Sequence, residues 1–212
     1  MKDKNDKKAL IIVAHPDDET LWAGGTILDH PSWNWSVICL TRKSDIKRSE
    51  NFKKALKVFG ATGKMGDMDD GPDQIPLNMD DIKNTIITLL NEKKFDVIIT
   101  HHPAGEYTRH LRHEETSAAV IYLWHEKSIE TKELWLFAYE DGGRSYLPRA
   151  IKESTEYVKL TENTWKQKYN LIRNIYGFKE DSWEVRTTPR EESYIKIKDS
   201  VQAMALLKQY TD

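Results

Sequence analysis

The stretch "ALIIVAHPDDE" at residues 9–19 decides how the fold begins. Its first six residues are all apolar, which is typical of a strand buried on both faces of a parallel sheet. A histidine, a proline and three carboxylates follow directly. Ligands of open α/β sheets bind beyond the carboxyl ends of the strands. We therefore expect a functional site where this strand ends.

Three further apolar runs predict strands of the same kind. They are "WSVICLT" at 35–41, "DVIITHH" at 96–102 and "ELWLFAY" at 133–139. Segments with helical spacing lie between them: one stops at Gly60, one is capped by Asn78 and one begins near Arg112. This alternation predicts an α/β fold that is Rossmann-like, with a mostly parallel sheet flanked by helices.

The chain after residue 142 has weaker patterns. The sequence predicts a helix over 154–177, an edge strand over 192–199 and a final helix over 200–210 capped by Ser200. No repeat or linker divides the chain. We expect one domain over residues 9–212, preceded by a flexible N-terminus, residues 1–8.

Composition narrows the class of protein. The 212 residues are 39% hydrophobic and 31% charged, which is typical of a soluble single domain. With 32 basic and 34 acidic side chains the net charge is −2, so electrostatics gives no reason to expect a nucleic-acid partner. The first apolar run is too short for a signal peptide or a membrane span, which predicts a cytoplasmic protein. The single cysteine, Cys39, excludes an internal disulfide and a thiolate metal site, and we expect it to be buried.

The second polar cluster follows the third of these strands. "THHPAGEYTRHLRHEE" at 100–115 contains four of the seven histidines: His101, His102, His110 and His113. Either cluster alone could be a helix-capping turn or a polar surface loop. Both follow strand ends, however, where histidine and aspartate could supply the three ligands of a catalytic zinc that keeps one position open. The sequence therefore favours a metal site.

With these two clusters the sequence resembles a known family. "AHPDDE" at 14–19 and the His-x-x-His pair at 110–113, each after a predicted strand, resemble the PIG-L/LmbE-like family of zinc-dependent deacetylases. Arg48 falls at the spacing of a helix of that family, and "MGDMDDG" at 65–71 resembles its Asp/Gly segment. The resemblance covers residues 9–125 and rests on several motifs in order.

The resemblance implies roles for six residues. Three would hold zinc: His15, Asp18 and His113. Asp17 corresponds to the general base, His110 to the histidine that stabilises the oxyanion or donates a proton, and Arg48 to an arginine that faces the substrate. The implied reaction removes the N-acetyl group from an N-acetylglucosamine-type amino sugar or its conjugate, a small-molecule substrate. Zinc is the expected metal, with Fe²⁺ as the alternative, and the sequence is compatible with a homo-oligomer.

The residues by themselves imply only metal-assisted amide hydrolysis. Zinc lowers the pKa of bound water from about 15.7 to near 7, and a free carboxylate beside it can accept the proton. Asp17 and Asp18 are adjacent, and a turn stiffened by Pro16 can bring one of them onto the metal and leave the other facing the water. His110 and His113 are three positions apart, so a helical turn can aim both at one centre.

Two other interpretations stay open. A metal-dependent phosphoesterase would use two metals about 3.5–4 Å apart. A non-catalytic sugar-binding module would surround a structural metal with four ligands, whereas this sequence offers three and a spare base. Dinucleotide binding is disfavoured, because no glycine fingerprint follows the first strand.

Several polar neighbours have two interpretations each. Glu19 either hydrogen-bonds a ligand or opens a helix. One of His101 and His102 is expected to line the pocket, and a structural role is the alternative for either of them. Glu106 and Arg109 either contact substrate hydroxyls or pair with each other.

Overall fold

The centre of the protein is a parallel sheet built from the apolar runs. The computed structural model describes residues 6–211. The parallel strands are β1 (Lys8–Val13), β2 (Asn34–Thr41), β3 (Thr62–Met68), β4 (Lys94–Thr100) and β5 (Glu130–Phe137). A separate hairpin follows, made of β6 (Tyr139–Glu140) and β7 (Arg149–Ala150). Two antiparallel strands, β8 (Glu156–Lys159) and β9 (Glu191–Ile197), complete the main sheet in the order β3-β2-β1-β4-β5-β9-β8.

Helices cover both faces of this sheet. They are α1 (Asp18–Asp29), α2 (Ile46–Phe59), α3 (Met79–Leu89), α4 (Leu111–His125), α5 (Glu162–Asn170) with a π-helix (Leu171–Tyr176) continuing it, α6 (Trp183–Thr187) and α7 (Ser200–Thr211). Asn78 caps α3 as its position predicts, because its side chain accepts hydrogen bonds from the N–H groups of Asp80 and Asp81. Gly60 ends α2 at φ 66°, a left-handed conformation that glycine adopts without strain.

The core has two layers because successive side chains of a strand point to opposite faces. On β1, Ala9, Ile11 and Val13 pack into the layer under α1 and α2. Leu10 and Ile12 pack into the layer under α3 and α4. All five side chains are fully buried, which explains why this strand is apolar at every position.

The order of the strands reverses at β1, which has β2 on one side and β4 on the other. Ligands of open α/β sheets bind at such a switch point, beyond the carboxyl ends of the strands. The first polar cluster of the sequence follows β1, and the second follows β4. The predicted Rossmann-like, mostly parallel sheet flanked by helices in a single domain is confirmed.

The predictions for the C-terminal part need three corrections. Residues 154–177 are not one helix, because the segment contains β8 and α5 before the π-helix that ends at Gly177. The strand predicted at an edge, β9, lies between β5 and β8. Helix α7 is capped by Asp199 and not by Ser200, since the Asp199 carboxylate accepts a hydrogen bond from the N–H of Val201.

Strand β3 is absent from the sequence prediction. It contains two glycines and few apolar residues. It lies at the edge of the sheet, where within the described chain it pairs with only one neighbouring strand, β2. Cys39 is fully buried, as expected. Among residues 6–211, no helix is long and apolar enough to cross a membrane. Residues 1–5 of the expected flexible N-terminus lie outside the described residues.

Candidate metal centre

The turn between β1 and α1 carries the first polar cluster. Asp17 precedes the helix with φ 130° and ψ −26°, a strained conformation for a residue that has a Cβ. Asp18 is the first helical residue, and its Oδ2 accepts a 2.8 Å hydrogen bond from the N–H of His15. Oδ1 of Asp17 instead faces the Arg48 guanidinium at 3.6 Å. The turn therefore gives the two neighbouring carboxylates different partners.

A buried network holds this turn in place. Glu19 is fully buried, and its Oε2 accepts a hydrogen bond from the N–H of Asp17 at 3.2 Å. Its Oε1 accepts from the hydroxyls of Thr20 at 2.6 Å and Tyr176 at 2.5 Å. Tyr176 belongs to the π-helix, a conformation that is frequent at functional sites. Strained backbone persists only where its surroundings over-determine it, and this network does so for Asp17.

The second cluster is delivered by the start of α4. His110 is the residue before the helix, and His113 lies in its first turn. Their rings stack with centroids 4.1 Å apart and an angle of 18° between the planes. The connection before them turns at Gly105, with φ 65°, where a Cβ would lie 2.5 Å from the carbonyl oxygen of Thr108. Only glycine fits there, so this position fixes the path of the connection into α4.

Three polar atoms from the two clusters converge. His15 Nδ1 lies 3.0 Å from His113 Nε2 and 3.2 Å from Asp18 Oδ2. The third side of the triangle, from His113 Nε2 to Asp18 Oδ2, is 3.5 Å. Ligands at 2.0–2.1 Å from a tetrahedral zinc are about 3.3 Å apart. The three atoms therefore have the spacing of a metal ligand set.

The outer nitrogen of each histidine in this triangle faces a carboxylate. His15 Nε2 lies 3.2 Å from Asp70 Oδ1. His113 Nδ1 lies 2.9 Å from Glu106 Oε1, and neither of these buried atoms has another partner among residues 6–211. A carboxylate on the outer nitrogen favours the proton there and leaves the inner nitrogen free to bind a metal. Both histidines have this arrangement.

His101 occupies a different position from these two histidines. Its Nε2 accepts a hydrogen bond from the N–H of Ala14 at 2.9 Å, and its Nδ1 hydrogen-bonds Glu106 at 2.9 Å. The ligand atoms of Asp18, His101 and His113 do lie within 4.8 Å of one another. Because both ring nitrogens of His101 are engaged, we interpret it as a residue that fixes Glu106, and not as a metal ligand.

The charges of the site favour a cation. Burial lowers the pKa of His15, but hydrogen bonds and charges from Asp18 and Asp70 outweigh it and raise the pKa to about 10. Burial raises the pKa of Asp18, but the charges of His113 and His15 hold it well below its usual range. Carboxylates that stabilise a proton on His15 will also stabilise a divalent cation bound at its Nδ1.

Asp17 and His110 lie beside this set. Burial, followed by the charge of Asp18, raises the pKa of Asp17 well above its usual range. Burial, followed by the charges of His113 and His15, lowers the pKa of His110 to about 4, so its imidazole is neutral at neutral pH. The Nδ1 of His110 is buried and makes no hydrogen bond within the described part of the chain. A neutral, unpaired imidazole next to the triangle can bind an incoming polar group.

The structure brings all six predicted site residues to one place. Arg48 comes from the first turn of α2, and its side chain is 41% exposed, so it reaches both Asp17 and solvent. The other five come from the β1–α1 turn and the start of α4. Their proximity is a structural fact, whereas the role of each residue stays a prediction.

Sequence reasoning missed the residues that hold this set in position. Asp70 follows β3 within the Asp/Gly segment, and its Oδ2 accepts hydrogen bonds from the Arg42 guanidinium at 2.5 and 2.8 Å. Of the two alternatives for Glu106 and Arg109, the pairing of these residues with each other is wrong, because Arg109 pairs with Glu114 at 2.6 Å. Tyr176 had no signal in the sequence, since only the fold brings it to Glu19.

These features define an α/β protein with a candidate single-metal centre at the switch point of its sheet. The sequence profile of the PIG-L family, described as GlcNAc-PI de-N-acetylase, matches residues 10–124, more than half of the chain. The chain belongs to this family. The match spans the β1–α1 turn, Arg48 and the start of α4, and it ends before Tyr176.

Known proteins similar to this chain include one viral relative and several solved structures. The "Uncharacterized protein L374" of Acanthamoeba polyphaga mimivirus is 27% identical over an alignment of 181 residues, and the match covers 78% of this chain and 76% of that protein. The N,N'-diacetylchitobiose deacetylase of Pyrococcus horikoshii superposes with a TM-score of 0.68 at 17% identity, covering 91% of this chain and 85% of its own.

Two further structures show how widely this fold is used. A deacetylase involved in teicoplanin biosynthesis, solved as a triple mutant, has a TM-score of 0.58 at 17% identity, covering 85% of this chain and 87% of its own. The 4-carboxy-2-hydroxymuconate hydratase GalB of Pseudomonas putida has a TM-score of 0.62 at 15% identity, covering 90% and 96%. At these identities the likeness concerns the fold alone, and a hydratase shares it with deacetylases.

Proposed function

We propose that this protein is a metal-dependent hydrolase that removes the N-acetyl group from an N-acetylglucosamine-type amino sugar or its conjugate. The products are acetate and a free amine. Membership of the GlcNAc-PI de-N-acetylase family supports deacetylation. The observation that carries the proposal is the triangle of His15 Nδ1, Asp18 Oδ2 and His113 Nε2, with the carboxylate of Asp17 beside it and outside the ligand set.

The residues of the triangle fit a divalent metal. His15, Asp18 and His113 would hold it through two imidazole nitrogens and one carboxylate oxygen, a donor set that suits zinc and also Fe²⁺. When bound, the metal supplies Lewis acidity that polarises the amide carbonyl and lowers the pKa of water, so that water can lose a proton and attack at neutral pH. Three protein ligands leave room for substrate, which distinguishes a catalytic centre from a closed structural one.

The remaining residues would handle protons and charge. Asp17 accepts the proton of the attacking water at its carboxylate and returns it to the nitrogen of the leaving amine. His110, as a neutral imidazole, donates an N–H hydrogen bond to the oxygen on which negative charge develops. Arg48, half-exposed beside Asp17, binds the substrate at the mouth of the site and keeps it aligned for attack.

The proposal for the substrate is a small N-acetylated sugar. The N,N'-diacetylchitobiose deacetylase that shares this fold acts on an N-acetylated disaccharide by its name, and the family description names GlcNAc linked to phosphatidylinositol. Both contain N-acetylglucosamine. We therefore propose this unit for the reacting ring.

The experiment that tests the function combines metal analysis with acetate release. We expect about one divalent metal per chain and acetate release from at least one member of a panel of N-acetylglucosaminides. Chelation should abolish the release, and zinc or Fe²⁺ should restore it. Bound metal without acetate release from any member would favour the sugar-binding module. Phosphate esters are assayed beside this panel, and release of phosphate from them would favour the phosphoesterase instead.

A further inference from the structure

A pocket of about 280 Å³ lies at the outer edge of the sheet and shares no lining residue with the candidate metal centre. Its walls are β3, the edge strand of the described chain, helix α2 and the last residue of α3. Sites for drug-sized ligands typically measure about 300–1,000 Å³, so this volume suits a smaller molecule. The proposed hydrolysis uses none of the side chains that line it.

Three lysines line this pocket without a partner. They are Lys43 in the β2–α2 connection, Lys53 on α2 and Lys64 on β3. None of them makes an ion pair or a side-chain hydrogen bond with any residue of the described chain, 6–211. Exposed lysines elsewhere do find carboxylates, as Lys94 and Lys132 show. No residue that lines the pocket is acidic, so its positive charge is available to an anion.

The size of this charge indicates which anion fits. Asp67 on β3 lies near Lys43, and its Oδ1 accepts hydrogen bonds from the N–H of Ser44 at 3.0 Å and from its hydroxyl at 2.9 Å. These bonds lower the pKa of Asp67, and the charge of Lys43 contributes less. Three lysines and this one carboxylate leave an excess of two positive charges. A phosphate monoester carries nearly two negative charges at neutral pH, whereas a carboxylate carries one.

Uncharged donors face the same pocket. Ser49 is only 8% exposed, yet its hydroxyl makes no hydrogen bond with any residue from 6 to 211. An edge strand also keeps a row of backbone N–H and C=O groups unpaired. Gly63 of β3 lines the pocket and has no side chain to cover these groups; a Cβ there would lie 2.5 Å from the carbonyl oxygen of Val37. Hydroxyl and N–H donors beside lysines are the groups that bind phosphate oxygens.

The rest of the pocket wall is apolar. It consists of Phe52, Met65 and Leu89. Phe52 and Met65 belong to the core layer under α1 and α2, and Leu89 packs against the opposite layer. An inorganic ion would leave this apolar surface in water, whereas an organic group would cover it. The wall therefore favours a phosphate that is attached to a carbon skeleton.

We propose that this pocket is a binding site for a phosphate monoester. The three lysines and the Ser49 hydroxyl hold the phosphate group, and the apolar wall contacts the organic group that carries it. The monoester belongs either to a soluble metabolite or to a lipid headgroup, since both present the same chemistry. This assignment does not depend on the proposed hydrolysis. Ser49 directly follows Arg48 on α2, so the ligand would contact the helix that carries this arginine to Asp17.

The first test measures binding of phenyl phosphate, a soluble monoester with an apolar ring, to the full-length protein by calorimetry. Lys53→Gln and Lys64→Gln should each weaken binding about tenfold or more, which is the usual effect of losing a hydrogen bond between charged groups. The matched control is Lys54→Gln, the same change on the next residue of α2, which is exposed and lies outside the pocket. Equal affinities of Lys53→Gln and Lys54→Gln would overturn the assignment.

The second test distinguishes the pocket from the metal centre and from general surface charge. Phenyl phosphate should bind equally well before and after metal is removed with a chelator, because the pocket contains no predicted metal ligand. Loss of binding on chelation would show that phosphate binds at the metal instead. Ser49→Ala keeps the net charge and should weaken binding several-fold. Unchanged affinity in Ser49→Ala would show that the phosphate sits on exposed lysines outside the pocket, and would also overturn the proposal.

A third measurement identifies the source of the monoester. The wild-type protein is sedimented with vesicles of phosphatidylcholine that contain phosphatidic acid, a lipid whose headgroup is a phosphate monoester. Binding of phenyl phosphate without sedimentation would indicate a soluble metabolite. Sedimentation that is lost in Lys53→Gln and kept in Lys54→Gln, without binding of phenyl phosphate, would indicate the lipid. Binding of neither probe would refute the site.

Discussion

The two connections that form the candidate centre differ in length and in how they are held. The β1–α1 turn spans residues 14–17 and is tight, with one strained residue, Asp17. The β4–α4 connection spans 101–110 and follows a longer path that turns at Gly105. Each is anchored by a buried glutamate. Glu19 binds the backbone of the short turn, whereas Glu106 binds imidazole rings of the long connection.

This difference predicts a division of labour between the two glutamates. Fixing a backbone N–H controls where the carboxylate of Asp17 points, and so affects proton transfer. Fixing imidazole Nδ1 controls which nitrogen of His113 is free, and so affects metal binding. Substitutions that remove a hydrogen bond of Glu19 should lower turnover and leave the metal bound. Substitutions that remove a contact of Glu106 should lower metal affinity first.

The largest effect should come from removing a metal ligand from either connection. His113→Ala and Asp18→Ala should each lose most of the bound metal and, with it, nearly all activity, because two ligands seldom retain a catalytic metal. Metal content of the purified variants is the measurement. His125→Ala, an exposed histidine on the same helix α4, is the control and should keep its metal. Wild-type metal content in His113→Ala would refute the ligand assignment.

Asp17→Asn should distinguish the roles of the two carboxylates in the short turn, Asp17 and Asp18. The amide keeps the size of the side chain and lies outside the triangle, so the metal should stay. An amide cannot take a proton from water, and loss of a general base typically costs about 10²–10⁴-fold in rate. Metal content and kcat are measured together. If Asp17→Asn loses its metal while Asp18→Ala keeps it, the two roles are reversed.

The same contrast explains how far the sequence predicts the molecule. Residues 9–19 and 96–115 predicted both strands, the edge where they end and five of the six site residues that the structure brings together; the sixth, Arg48, came from the spacing of a helix of the family. Those signals are local: apolar runs, and side chains adjacent to them. The partners that hold the site are not local, because Tyr176 reaches Glu19 across 157 positions of the chain. Asp70 reaches His15 across 55 positions, which no periodicity reveals.

The errors in the fold have a similar origin. Residues 156–159 carry no strong alternation and the sequence predicts a helix there, yet they pair with β9 as an outer strand. Strand β9 was expected at an edge because nothing in its own sequence shows that β8 will cover it. In both cases tertiary pairing overrides local propensity. The long parallel strands are buried on both faces, so their continuous apolar runs predict a strand without reference to tertiary pairing.

Glu106→Gln tests the long connection with an intermediate effect. The carboxylate faces Nδ1 of both His101 and His113, whereas an amide offers one acceptor oxygen and one donor nitrogen. One imidazole must then move its proton to Nε2, and if His113 does so it cannot bind metal. Metal affinity, measured by competition with a chelator, should fall about 10–100-fold. Glu126→Gln, at the far end of α4, should leave it unchanged. Equal affinities in the two variants would contradict the role of Glu106.

The smallest effect, and the sharpest test of the short turn, is expected from Tyr176→Phe. The change removes only the hydroxyl that donates to Glu19 Oε1 at 2.5 Å and leaves the ring in the core. Glu19 keeps the hydroxyl of Thr20 and the N–H of Asp17, so the turn should loosen without collapsing. Losing a hydrogen bond to a buried carboxylate should cost about 1.5–3 kcal/mol of stability.

The kinetic signature of Tyr176→Phe distinguishes positioning from simple destabilisation. Below the melting temperature we expect kcat to fall several-fold, with KM and metal content near those of wild type, because the variant shifts the base and not the ligands. Tyr169→Phe is the matched control, since the Tyr169 hydroxyl on α5 makes no hydrogen bond within residues 6–211. A stability loss with unchanged kcat would show that Glu19 and Tyr176 support the fold only. A loss of metal would show instead that the short turn positions Asp18 as much as Asp17, and that the two networks do not divide the work.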